Sequence, residues 1–136
     1  MNDKRVKHLE MIQAAINRLA GNSITVKGWG ITLVSALFAL AAKDADIRFV
    51  LVSYFPAGMF WLLDGYFLSQ ERRFRNLYDQ VRTSTEEGSD FSMDTTKLVN
   101  GQARWIFSMF SVTLLIFYGI AIGTICFVGL YFRYKK

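Results

Sequence analysis

The sequence predicts an all-α fold: a polytopic membrane helical bundle of about three transmembrane helices, preceded by an amphipathic N-terminal helix. Three observations lead there. Residues 105–132, WIFSMFSVTLLIFYGIAIGTICFVGLYF, carry no charged side chain over 28 positions. As a helix that run would be about 42 Å long, beyond the roughly 30 Å hydrocarbon core of a bilayer. Two shorter apolar stretches, 24–42 and 49–69, come before it. Finally, 52% of the 136 residues are apolar and 15% aromatic, more than one small soluble unit can hide inside.

The elements follow in chain order as parts of one membrane domain, 1–136. Within 1–22, Val6, Leu9, Ile12, Ile16 and Leu19 recur at spacings of three and four, the signature of an amphipathic helix. Asn2 and Asp3 are candidate caps for its start. Gly21-Asn22-Ser23 is expected to end it, with Ser23 capping the next helix. This first helix suits either a lipid surface or the rest of an assembly. Span 1 covers 24–42, and because only Gly28 to Ala42 is uncharged, Lys27 is expected to snorkel to the headgroups beside the interfacial Trp29. Ala39-Leu40-Ala41 resembles a signal-peptide cleavage site, but the long amphipathic leader before it is wrong for one.

The short 43–48 connection forces a tight hairpin into span 2, 49–69, with a kink expected between Val52 and Pro56. No helix breaker follows Tyr66 before Val81, so span 2 should continue as a charged cytoplasmic helix to 82. Its apolar stripe, Phe74, Leu77, Tyr78 and Val81, needs a cover from the N-terminal helix or from another protomer. Residues 83–104 read as an exposed linker, with Phe91-Ser92-Met93 able to dock back. Span 3 covers 105–132, either as one crossing or bending at Gly119 or Gly123.

Orientation follows from the sixteen basic residues. Lys4, Arg5, Lys7, Arg18 and Lys27 precede span 1, and Arg72, Arg73, Arg75, Arg82, Lys97 and Arg104 lie between spans 2 and 3. The side they share should be cytoplasmic, which places the N-terminus inside and Arg133, Lys135 and Lys136 outside. The net charge of +5 is therefore read as topology and anionic-lipid contact rather than as a nucleic-acid surface.

Asp64 stands out, because a carboxylate several residues inside an apolar helix must be paired, protonated or wet. Lys27 and Arg104 are its candidate partners. The pair either fixes helix register or belongs to a proton or ion path. Gly119 and Gly123 form a small-xxx-small pair for helix packing, and self-association is the economical way to cover that face. Arg72, Arg73, Arg75 and Arg82 offer a cytoplasmic face for a partner. The lone His8 is expected to be a solvated surface residue, and the lone Cys126 a small lipid- or helix-facing one. No nucleophile–base pair, carboxylate pair, phosphate loop or metal-ligand cluster is legible, so the chain reads as no enzyme and calls for no cofactor and no metal.

The stretches KHLEMIQAAINRLA, NSITVKGWGITLVSALFALAAKD, FWLLDGYFLSQERRFRNLYDQVR and DFSMDT resemble a family of small, uncharacterised bacterial inner-membrane proteins, over roughly residues 7–96. The layout is also similar, more weakly, to the SLATT two-span membrane effectors found beside nucleotide-signalling proteins in bacterial antiphage systems. It shares their N-terminal helix, their hairpin of spans and their long charged helix leaving the second span. The third span departs from that two-span plan. The resemblance implies a homo-oligomeric, pore-forming or membrane-perturbing effector of the bacterial inner membrane, released by a cytosolic sensor. A non-conducting anchor or scaffold subunit recruiting a cytosolic enzyme complex is the alternative, and a proton-coupled mini-transporter is a third reading.

Overall fold

A computed structural model describes residues 3–84, 90–99 and 101–135. Asn2, considered above as a cap, lies outside the described residues. All regular structure among these residues is helical. Helix α1 spans Asp3–Asp44, α2 Ile47–Val52, α3 Tyr54–Thr83, α4 Trp105–Met109 and α5 Val112–Tyr134, with single 3-10 turns at Thr96–Leu98 and Gly101–Ala103. Three helical rods, Asp3–Asp44, the 47–83 pair and Val112–Tyr134, are long and apolar enough to cross a membrane.

The expected break at Gly21-Asn22-Ser23 is absent: α1 is one helix of 42 residues, about 63 Å long. A mid-helix glycine costs about 1 kcal/mol relative to alanine, and packing on both flanks offsets it. Ile12 and Ile16 pack with Leu77 of α3, while Gly30 lets Phe60 approach to 3.5 Å of where a Cβ would stand. Ser23 caps nothing, because its hydroxyl is drawn across to Asp64.

α1 stops where Ala45 turns into the left-handed region at φ 50°. The Asp46 N–H then donates back to the Ala41 carbonyl at 3.3 Å, a Schellman closure. The Asp46 carboxylate caps α2 by accepting from Arg48 N–H at 2.9 Å. Beside this carboxylate the exposed Arg48 guanidinium is held above its ordinary pKa, first by the hydrogen bond and then by the charge. The rod bends at Ser53, whose hydroxyl and N–H both turn to α2 carbonyls. Pro56 follows in the first turn of α3, where its missing donor breaks no helical bond.

The 105–132 run is not one helix, and it bends at neither Gly119 nor Gly123. It breaks at Phe110 and Ser111, where the Ser111 hydroxyl caps α5 by accepting from Leu114 N–H at 3.4 Å. Trp61 Nε1 takes the Met109 carbonyl at 2.9 Å, satisfying an acceptor that the break frees. α4 lies against α3 at Gly65, where a Cβ would stand 3.3 Å from the Met109 Cα and collide with its side chain. The remaining 23-residue α5 is about 35 Å long, close to a bilayer core.

Two apolar cores result. Ala41, Val50, Ala57 and Ile125 join α1, α2, α3 and α5 at the hairpin end. Ile12, Ile16 and Leu77, with Phe74, Tyr78, Val81, Met93 and Leu98, close the opposite end, so the stripe on α3 is covered by this chain's own α1 and by the 90–98 strap. We call this second end the stem.

Candidate functional site

The site lies where the stem meets the apolar half. Asp64 is completely buried on α3. From α1, Ser23 donates to its Oδ1 and Lys27 Nζ to its Oδ2. From α5, the Tyr118 hydroxyl lies 3.1 Å from Oδ2 and 3.1 Å from the Phe60 carbonyl. Lys27 also donates to the Ser23 hydroxyl at 2.8 Å and sits 5.7 Å above the Phe117 ring. Its side chain is 19% exposed, so it turns inward to the carboxylate rather than out to a headgroup. One carboxylate thus draws together three helices.

Local sequence explains the convergence. Ser23 and Lys27 are four apart on α1, as are Phe60 and Asp64 on α3, so each pair presents one helix face. Tyr118 is aligned by Trp61, whose ring is stacked 25° from parallel at a centroid distance of 6.4 Å. Both carboxylate oxygens are occupied, so burial is compensated by charge and by hydrogen bonds together. Chemically this is a clamp. Among the described residues no group of three His, Cys, Asp or Glu side chains could hold a metal ion.

The other candidate residues scatter. Arg104 sits exposed just before α4 and is not among the ion-pair partners of Asp64. Gly119 and Gly123 point outward, with nothing among the described residues within 4 Å of either Cβ position. The four arginines do not share one face: Arg72, Arg75 and Arg82 fall on one side of α3 by their spacing, while Arg73 lies opposite Arg82. Arg75 is bonded to Glu71 at 2.7 Å and Arg82 to Asp79 at 3.5 Å. Arg73 Nε is buried without a hydrogen-bond partner among the described residues.

His8 is not solvated. It is 98% buried in the stem, and its Nε2 lies 2.9 Å from the Ser92 carbonyl. A carbonyl can only accept, so Nε2 carries the proton. The Phe91 ring flanks it at 5.6 Å. Nearby, Arg5 donates to the Val81 and Arg82 carbonyls, closing the C-terminus of α3. Ser23, Tyr118, Trp61 and Gly65 escape sequence reasoning. Only Ser23 had a legible signal, its spacing to Lys27; for Tyr118, among many aromatics, there was none. Comparison with known protein families, with curated proteins and with solved structures finds no match.

Proposed function

We propose that the chain is a membrane effector: an oligomer of the bacterial inner membrane, channel-like or membrane-perturbing, controlled by a cytosolic partner that acts on the stem, in the setting of antiphage defence. The observation that carries this reading is mechanical continuity through a buried ionic joint. α1 and α3 each run unbroken from the stem into the apolar half. Ser23, Lys27 and Asp64 lash them together at the crossing, and Tyr118 adds α5. Packed helices move as rigid bodies between discrete arrangements rather than deforming smoothly. A partner that displaces the stem therefore displaces the apolar helices.

Three helices apolar enough to span support the membrane placement. The basic residues gathered on the stem side support a cytosolic stem. A hairpin followed by a long charged helix supports the effector layout. The test is induction of the full chain in cells with membrane potential as the readout, followed by ion leak from vesicles reconstituted with the purified protein. The unaltered chain depolarises the cells, and Asp64→Asn, present in membranes at equal level, does so much less. If potential and leak both stay flat while the chain is membrane-bound, the effector reading fails. The anchor or scaffold reading then replaces it, favoured by Arg72, Arg75 and Arg82 on one side of α3.

A further inference from the structure

Between α1 and α3 runs an apolar groove of about 750 Å³, from Leu40 and Val52 at the hairpin end to Tyr66 and Trp105 at the stem end. We infer that it holds one acyl chain of an anionic phospholipid, with the phosphate taken by Arg73. The inference rests on the membrane placement above, and not on conduction.

Size selects the occupant. From Val52 to Tyr66 the rod covers about 21 Å, so the groove has a mean section of about 36 Å². A single hydrocarbon chain is thin enough. The walls match it: Leu37 and Ala36 of α1 face Phe55 and Met59 of α3, and among the described residues no charged side chain lines the groove. Trp105 is fixed as a wall by its Nε1 bond to the Leu62 carbonyl at 3.1 Å.

Charge selects the headgroup. Arg73 lies seven residues, two helical turns, beyond Tyr66 on the same stripe of α3. Helical side chains lean toward the N-terminus of their helix, which for Arg73 is the direction of the groove. Its Nε is buried and makes no hydrogen bond among the described residues. A buried, unmade guanidinium donor is costly, and a phosphate oxygen is the acceptor it suits best. Exposed Arg104, next to Trp105, adds positive charge at the same end.

The test uses the full chain, extracted in mild detergent from vesicles containing equal amounts of phosphatidylglycerol and phosphatidylcholine with identical chains. Native mass spectrometry counts retained lipid. We expect one phosphatidylglycerol per chain, retained about tenfold more than phosphatidylcholine, because the choline cation of the latter offsets the phosphate charge that Arg73 and Arg104 meet. Arg73→Gln brings the two lipids level. Ala36→Trp, and separately Met59→Trp on the opposite wall, fill the groove and remove both. Equal retention by the unaltered chain overturns the proposal. So does retention unchanged in both tryptophan variants, or an oligomer that splits in those variants while its lipid stays, which would put a second copy in the groove. A chain that partitions into the aqueous phase without detergent overturns the membrane placement instead.

Discussion

Asp64 shows how one side chain can decide a small bundle. Its carboxylate is fully buried and satisfied by Ser23, Lys27 and Tyr118 from two other helices, so removing a single partner is worse than removing the pair. Lys27→Met leaves an uncompensated buried carboxylate and should destabilise the chain by about 3–5 kcal/mol. Lys27→Met combined with Asp64→Leu should recover most of that loss. Unfolding in a mixed-micelle denaturant series checks it, and a double variant as unstable as the single one would show that the pair contributes more than mutual charge compensation. Gly65 makes the second residue-scale case. Any Cβ there strikes Met109, so Gly65→Ala should cost about 1–3 kcal/mol through overpacking. It should also lift α4 and free Trp61 from the Met109 carbonyl, seen as a red shift in tryptophan emission.

At the scale of elements, the stem is held by polar ties at its edges around an apolar middle. Arg5 closes the α3 carbonyls, and His8 pins Ser92 of the strap. Asp94 accepts the Thr96 N–H at 2.9 Å and its hydroxyl at 2.7 Å, first the backbone and then the side-chain bond holding its carboxyl below the ordinary carboxylate range. A depressed carboxylate contributes stability that is present above its unfolded pKa and lost as pH falls through the folded one. Hydrogen exchange at Thr96 N–H should therefore stay protected from neutral pH down through the usual carboxylate range and rise only below it, whereas Asp94→Asn should remove that acid-dependent rise.

The same elements show what the sequence could reveal. The stripe on α3, its continuation to Thr83 and the bend at Ser53 were legible, because period and a lone proline are local properties. The fate of Gly21-Asn22-Ser23 was not, since a breaker motif was overridden by contacts between residues thirty or more positions apart. The break at Ser111 was hidden for a related reason. An uncharged run conceals where a serine caps, and the acceptor that Trp61 satisfies comes from another helix. Asp64 with Lys27 was legible as a need and a candidate. Tyr118 was not, because only the closed bundle brings α5 to the carboxylate.

Among the described residues the buried side-chain polar groups are satisfied, Arg73 Nε excepted, while many apolar ones are left uncovered. Ile116, Ile120 and Phe127 on α5 are 59%, 67% and 72% exposed, and at Gly119 and Gly123 beside them an added Cβ would meet none of the described residues. In lipid such residues carry no burial penalty, so hydrophobicity alone does not demand a partner. What favours one is backbone approach: helices meeting at small residues gain close packing that lipid tails cannot match. We therefore expect a homo-oligomer seamed along this face. Gly119→Leu with Gly123→Leu fills the notch from positions where an added Cβ meets no described atom of the protomer, so the fold should be retained by circular dichroism. Light scattering of the detergent-solubilised particle should fall to a smaller mass, and any ion leak should fall with it. A particle that is already monomeric in several mild detergents and in lipid discs, and is unmoved by the substitution, would assign the notch to lipid and favour the anchor reading over the effector.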